Sequence, residues 1–388
     1  MLVSRKVAFI PYTKVDPANT ERTPKLLYLL SKWFEVVPIE VSSFDKKVYD
    51  QGGNKFSRYL LFLMNEAAIF WRTLRRGKGE GISLVFAEGS YYALAGGLAA
   101  RLLDVPMVWD NHGNIVDFSR VMGKSRYWVL GNLMMERMVA RMAATVLVVS
   151  DKEVRSYASL GFDPRKLMAL PTCADMGAVR ERCVSREQAR ERLGIPEGEK
   201  VVLFFGTLKY LPNLDAAEYL VDEMLPEVRR KVPGSTLYIA GTGELAKEPP
   251  EGVKMLGFVP DLYVWISAAD VCVAPMWRGV GILTKVIDMM SAGRPTVVSP
   301  LALEGIPELK HGINCLVGRD RGQFAEEVTA VLRDPGRGEE IGRNGRELIV
   351  SSYSWEVEAP RLMAHLGALM ETGRAQNYRQ VHERPAPK

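Results

Sequence analysis

Short continuous hydrophobic runs alternate along this chain with longer stretches whose apolar positions recur every three to four residues. Lys6 to Ile10, Val36 to Val41, Ile82 to Glu88, Ala144 to Ser150, Lys200 to Gly206 and Thr236 to Ala240 have the length and aliphatic content of strands covered on both faces. Helical patterns lie between them, among them Pro24 to Phe34, Lys55 to Arg76, Tyr91 to Leu103 and Tyr127 to Ala143. Strand and helix alternating in this way predict an α/β protein with parallel sheets, because parallel neighbours need a long crossover that is usually helical.

One such unit runs from Asp270 to Ser299. Val271 to Ala274 reads as a strand, a loop follows with Gly279 and Gly281, and a helical pattern continues through Ala292. Gly293-Arg294-Pro295 stops that helix before a further strand at Thr296 to Val298, with Gly just past the end and Pro beyond it. Ligands bind such sheets at the carboxyl ends of the strands, so the loop after Pro275 is the first place to look. Its glycines let the backbone approach a ligand, and the first free N–H groups of the next helix favour an anion such as a phosphate. Lys285 adds a positive charge one turn in, and Asp288 falls on the same helical face. A cation for a diphosphate and an acid for a ribose hydroxyl pair suit a nucleotide-sugar; the plainer reading is a helix on which both side chains are merely solvated.

Composition narrows the class. A chain of 388 residues has room for two cores, since single cores stop growing at about 250–300 residues. Its 47% hydrophobic and 25% charged content is that of an ordinary globular protein, and a net charge of +5 is too mild to argue for nucleic acid. Cys173, Cys183, Cys272 and Cys315 are scattered, which points to a reducing compartment and away from a zinc site or disulfide framework. The start, with Arg5-Lys6 and a short apolar run before Pro11, reads as a first strand and not a signal peptide, and no run of about 18 apolar residues is present. The expected location is cytoplasmic, with a peripheral position at the inner face of the membrane open.

That last possibility comes from Lys55 to Arg76. An apolar stripe at Phe56, Leu60, Leu63, Ala67, Phe70 and Leu74 is joined by further aromatics and ends in Arg72, Arg75, Arg76 and Lys78. Aromatics beside a basic cluster suit contact of residues 55–78 with an anionic membrane surface, although Asn65 and Glu66 interrupt the outer face; the alternative is two core faces with a basic end complementing the helix dipole. Pro106-Met107-Val108-Trp109-Asp110-Asn111-His112-Gly113 reads as a strand entering a polar turn, where His112 can reach a sugar hydroxyl or act as an ordinary turn histidine. Gly241-Thr242-Gly243 lacks the third glycine and the acid of a dinucleotide fingerprint.

The run Gly279-Val280-Gly281-Ile282-Leu283-Thr284-Lys285-Val286-Ile287-Asp288-Met289-Met290-Ser291-Ala292-Gly293-Arg294-Pro295 resembles, without a gap, the nucleotide-binding segment of the GT-B glycosyltransferases of the family-4 type, in the subgroup reading G-S-G-x-R-x-K-x-x-E-A-M-A-x-G-x-P. Gly206-Thr207-Leu208-Lys209 with Pro212-Asn213-Leu214-Asp215-Ala216 is similar to the second-domain start of the same family, and Asp110-Asn111-His112 to its first-domain D-x-H. Val280 and Asp288 stand where many relatives carry two glutamates, and Leu283 where the subgroup often has Arg, for which Arg278 is a candidate substitute.

The resemblance implies an α/β architecture of two Rossmann-like domains whose parallel sheets face a cleft. The boundaries expected from it are 1–172 for an acceptor-side domain, 173–359 for a nucleotide-sugar domain, 360–373 for a terminal helix returning to the first, and 374–388 for a disordered tail. It implies sugar transfer from a nucleoside diphosphate to an acceptor hydroxyl, retaining and metal-independent, with no cofactor, in the synthesis of a glycan, polysaccharide or glycolipid. The absence of any D-x-D sequence fits that reading. His112 would position the sugar and Lys285 would stabilise the leaving diphosphate. Gly206, Thr207, Lys209, Arg278, Gly279, Gly281, Ile282 and Leu283 would surround the donor, Phe258 and Val259 its base, and Asp288 its ribose. The acceptor would be a glycan or a lipid-linked glycan. Two alternatives are a sugar-nucleotide-binding or scaffold protein of the same fold with weakened turnover, and a sugar-nucleotide epimerase, against which the P-N-x-D-A and G-x-G-x-x-x-K arrangements speak.

Overall fold

A computed structural model describes residues 5–11, 22–39, 55–90, 92–279 and 282–372. Val280 and Gly281, the loop Tyr12 to Asp16 and the tail 374–388 lie outside the described residues. The chain divides into two compact units: unit 1 comprises Met1–Val116, Ser125–Leu170 and Ala359–Lys388, and unit 2 comprises Asp117–Lys124 and Pro171–Glu358.

Unit 1 is built on a parallel sheet of β1 (Lys6–Ile10), β2 (Glu35–Pro38), β3 (Ile82–Glu88), β4 (Met107–Asn111), β5 (Thr145–Val148) and β6 (Leu167–Ala169), in the order β2-β1-β3-β4-β5-β6. The central strands are apolar at almost every position because helices cover both faces. Trp109 is fully buried on β4, where its indole N–H donates to the Gly89 carbonyl at 2.8 Å, so the one polar atom of that side chain is satisfied. On one face Ala8, Ile10, Val85, Met107 and Val146 meet Ile69, Ala95, Val139 and Tyr157 from the helices, each buried side chain of Leu or Phe size contributing roughly 1.5–3 kcal/mol. The helix Trp355–Thr372 joins this unit from Ala359: His365 lies 2.8 Å from the Thr145 hydroxyl, the Arg361 guanidinium donates to the Ala169 carbonyl, and Arg5 donates to the Gly367 carbonyl at 3.2 Å.

Unit 2 holds a second parallel sheet of β7 (Lys200–Phe205), β8 (Ser235–Ala240), β9 (Val253–Gly257), β10 (Val271–Ala274), β11 (Thr296–Val298) and β12 (Leu316–Val317), ordered β12-β11-β10-β7-β8-β9. The order reverses between β7 and β10, because the chain builds outward from β7 to β9 and then returns to build the other side. That reversal opens a crevice at the carboxyl ends of those two strands.

Two sequence expectations on local structure change. Lys55 to Arg76 continues as a helix to Glu80. Asn65 and Glu66 do not interrupt its outer face: Asn65 is buried and donates to the Tyr92 hydroxyl at 3.3 Å, while the Glu66 carboxylate accepts from the backbone N–H groups of Tyr92 and Ala95 at 2.8 and 3.0 Å. Polar side chains on an otherwise apolar face looked solvent-directed; instead Glu66 serves the orphan N–H groups at the start of the next helix and Asn65 the Tyr92 hydroxyl beside them.

Candidate functional site

The crevice between β7 and β10 collects the sequence-predicted glycine and lysine. β7 is followed at once by Gly206, which has φ +147° and no room for a side chain: a Cβ there would lie 2.6 Å from Asn213 Nδ2 and 3.0 Å from Lys285 Nζ. Gly241 at the end of β8 has φ +140°, and its Cβ would fall 2.2 Å from the Gly206 carbonyl oxygen. The G-x-G after β8 is thus explained by two backbones in contact. Asn213, in the helix Leu211–Tyr219, spans the crevice, donating to the Thr207 carbonyl at 2.9 Å and accepting from Lys285 Nζ at 2.7 Å.

Lys285 rises from the helix Thr284–Ser291. Its ammonium sits 4.3 Å from the centre of the Phe204 ring and 3.7 Å from Met276 Sδ, and among the described residues it makes no ion pair. Lys285 keeps part of its surface exposed, but its amine is enclosed, and that burial without a counter-charge pushes its pKa down to about 7. Leu283 precedes that helix and offers no side-chain cap, so the first N–H groups of the helix have no side-chain partner from the cap position. An uncapped helix start beside an uncompensated amine is an anion-binding arrangement.

The neighbouring candidates are placed differently. Ile282 is buried and Leu283 half-buried, so both contribute backbone and apolar surface. Arg278, next to Gly279, is engaged in an ion pair with Asp215. Asp288, on the same helix as Lys285, is buried and accepts from the Tyr263 hydroxyl at 2.9 Å. Thr207 and Lys209 are exposed in the loop after β7, with the Thr207 hydroxyl 3.0 Å from that of Thr242. Phe258 and Val259 follow β9, and Phe258 leaves 66% of its surface exposed. Adjacent strands lie about 4.8 Å apart, so two strands carry Phe258 roughly 10 Å from the Gly206 loop, the span of a nucleoside. Asn213, which orients Lys285, was not singled out from the sequence, though the P-N-x-D-A motif spells it.

In unit 1, His112 closes β4 among three charges that the sequence does not announce. The Arg22 guanidinium grips Asp110 with two parallel bonds of 2.9 and 2.7 Å, both side chains buried. His112 Nε2 lies 3.2 Å from Asp110 Oδ2 and 3.2 Å from Glu88 Oε1. Burial opposes a charge on the imidazole, but the bonds and charges of Asp110 and Glu88 outweigh it and lift its pKa to about 9. Burial would likewise raise Asp110, yet Arg22 first and His112 second hold its carboxyl well below the usual range. The three ligand-type groups lie within 4.8 Å of one another, but they do not fit a metal ion: Arg22 already occupies Asp110, and a ligating histidine must be neutral.

A polar network holds the turn after β4. The Asn111 amide donates to the Tyr157 hydroxyl at 2.6 Å, Tyr157 donates to the Gly113 carbonyl at 3.2 Å, and the Asn114 backbone N–H donates to Glu153 at 3.2 Å. Glu136 accepts from the Ser90 hydroxyl at 2.9 Å, and burial pushes its pKa up to about 7, with the nearby Glu153 adding to the shift.

A family model described as glycosyl transferases group 1 matches residues 199–334, and one described as a glycosyl transferase 4-like domain matches residues 38–173. An uncharacterized glycosyltransferase of Methanocaldococcus jannaschii is 31% identical over 182 residues, and the match spans 43% of this chain and 44% of that protein. Sucrose-phosphate synthase from Thermosynechococcus elongatus superposes with a TM-score of 0.73 at 18% identity, covering 95% of this chain and 100% of that one. The Anabaena HepE protein, solved in complex with UDP, superposes with a TM-score of 0.71 at 15% identity over 94% of this chain and 100% of its own.

Proposed function

We propose that this chain, which belongs to the group 1 glycosyl transferases of GT-B fold, moves a sugar from a nucleoside diphosphate to an acceptor hydroxyl with retention of configuration and without a metal ion. The observation that carries the reading is the Lys285 amine, buried beside Gly206 and the uncapped start of its own helix with no acid to neutralise it. As the glycosidic bond breaks, negative charge grows on the diphosphate, and a preorganised cation with aligned N–H groups stabilises it where water is excluded. Asn213 holds the amine in place. Phe258 and Val259 flank the base, Gly206, Thr207, Lys209, Gly279, Ile282 and Leu283 surround the diphosphate, and Arg278 reaches it on leaving Asp215. Asp288 meets the ribose on giving up the Tyr263 hydroxyl. His112, held charged by its two carboxylates, donates a hydrogen bond to a sugar hydroxyl.

A uridine nucleotide is the first donor to test, since the similar HepE protein was solved with UDP. Acceptors are glycans or lipid-linked glycans, reached at an anionic membrane through residues 55–78. The decisive assay incubates the chain with a panel of nucleotide-sugars and follows nucleoside diphosphate release, with Lys285→Ala as control. Release that Lys285→Ala leaves unchanged refutes the assignment. The pairing of Arg278 with Asp215 and of Asp288 with Tyr263 favours one second reading, a binding protein with little turnover; tight nucleotide-sugar binding with no release over hours distinguishes it.

A further inference from the structure

Three helices, Lys55–Glu80, Ala93–Leu103 and Arg126–Met142, cover one face of the unit 1 sheet, the second packed against both others. Each turns its outer surface to solvent, and each outer surface is apolar where a solvated helix would be polar. On Lys55–Glu80 the exposed positions Leu60, Met64 and Trp71 recur at helical spacing, Trp71 being 64% exposed. On Ala93–Leu103 they are Leu98 and Leu102. On Arg126–Met142 they are Tyr127, Leu130, Met134 and Met138, the last two 57% and 50% exposed.

The charge of this surface is one-sided as well. The three acids on these helices are all engaged within the protein: Glu66 accepts from two backbone N–H groups, Glu80 is paired with Arg76 at 2.7 Å, and Glu136 is buried. Near the helix ends lie the exposed Asp104, which caps the second helix, and the half-buried Asp163, which is paired with Arg165 at 2.8 Å.

Parallel topology then gathers the bases. Crossover helices run against the strands, so the last turns of all three helices end along the edge where β3, β4 and β5 begin. Lys78, Arg101 and Arg141 are exposed in those last turns, and Arg75 and Arg137 are exposed about one turn earlier. Between the second and third helices the edge holds a groove of about 250 Å³ lined by Arg101, Arg141 and Lys166, and a neighbouring groove of about 360 Å³ adds Arg137. Lys166 donates to the carbonyls of Ala140, Arg141 and Ala143, at 3.2, 3.1 and 2.8 Å, which fixes a cation at the end of the third helix.

We propose that this three-helix face docks unit 1 on an anionic bilayer, with Trp71, Leu102, Leu130, Met134 and Met138 entering the boundary between headgroups and acyl chains and the basic edge lying on lipid phosphates. The inference rests on the membrane reading of residues 55–78 and deepens it by adding the other two helices. An apolar band with a basic border matches what such a bilayer offers, apolar depth beneath negative charge. A second copy of the chain would set this basic face against itself, which like charges oppose.

The test is flotation of the full chain with vesicles of phosphatidylcholine alone and of phosphatidylcholine with 30% phosphatidylglycerol, as about a third anionic lipid gives a strong negative surface. The wild-type chain should float with the anionic vesicles only. Each basic residue near such a surface is worth about fivefold in partitioning, so Arg101→Glu with Arg141→Glu should weaken it by more than about twentyfold. Leu130→Asp with Met134→Asp should abolish it, while UDP binding by unit 2 and the thermal unfolding of both variants stay at wild-type levels, showing that they fold. Flotation lost in Trp71→Asp but kept in both double variants would overturn the three-helix face and leave the contact of residues 55–78 standing. Binding to neither vesicle would overturn both membrane readings without touching nucleotide-sugar chemistry. A dimer in light scattering that Met134→Asp dissociates, with no flotation, would assign the face to a second copy and overturn the proposal.

Discussion

Lys285 links nucleotide binding to pH. Its ammonium has the Asn213 amide oxygen at 2.7 Å as its oxygen acceptor, and burial holds its pKa at about 7. A diphosphate against Nζ supplies the missing counter-charge and returns the amine toward the ordinary lysine range. Binding above neutral pH therefore takes up a proton. At pH 8 about a tenth of empty sites are charged, so about 0.9 proton enters per diphosphate bound, against about 0.1 at pH 6. The terminal phosphate of the nucleotide, with a pKa of about 6, no longer titrates above pH 7, so affinity should fall about tenfold per unit there through Lys285 alone. Calorimetric titration of UDP in two buffers of different ionisation enthalpy reads the uptake directly. Lys285→Ala should remove the pH dependence and, with one charge-assisted bond of about 1.5–3 kcal/mol gone, weaken binding about 10- to 150-fold at neutral pH. Equal heats in both buffers at pH 8, or constant affinity between pH 7 and 9, refutes the account of a buried, uncompensated amine.

Gly206→Ala places a Cβ 2.6 Å from Asn213 Nδ2 at a φ of +147°, and should cost about 1–3 kcal/mol in denaturant unfolding together with UDP affinity; unchanged affinity would separate the glycine from the site. Arg22→Ala leaves Asp110 charged and buried and should destabilise unit 1 by about 3–5 kcal/mol, with Arg22→Lys recovering only part because it cannot reproduce the two parallel bonds; full recovery would count against the fork geometry. Glu136 has its folded pKa raised from 4.5 to about 7, so its contribution is present below pH 4.5 and lost as pH rises through about 7, up to about 3 kcal/mol. Glu136→Gln should therefore raise the melting temperature at pH 8 and leave it nearly unchanged at pH 4.5, and calorimetric scans with the same difference at both would refute the burial assignment.

Strands and helices were legible because their signal is local. Lys6–Ile10 and Ile82–Glu88 are continuous apolar runs wherever one reads them, and Gly293 ends a helix through its own backbone freedom, at φ +73°. Gly206 and Lys285 were legible as types suited to a phosphate at the ends of their elements. The state of Lys285 was not, since it depends on Asn213, 72 residues away, and on the ring of Phe204. Nor were the partners of Asp288 and Arg278, whose spacing suggests a ligand and whose neighbours in space are Tyr263 and Asp215.

The amino-acid order by itself determined two parallel α/β cores, a glycine-flanked helix start with a lysine one turn in, and a histidine closing a first-unit strand, because periodicity and chain reversal act over a few residues. Tertiary structure decided which charges are compensated. Arg22 neutralises Asp110 across 88 positions, Glu66 turns inward and leaves three helices with an apolar face, and Lys285 meets no acid at all among the described residues. The physical reason is that the free energy of a buried charge is set by what lies within a few ångströms in space, and folding brings those groups from parts of the chain that no local pattern connects.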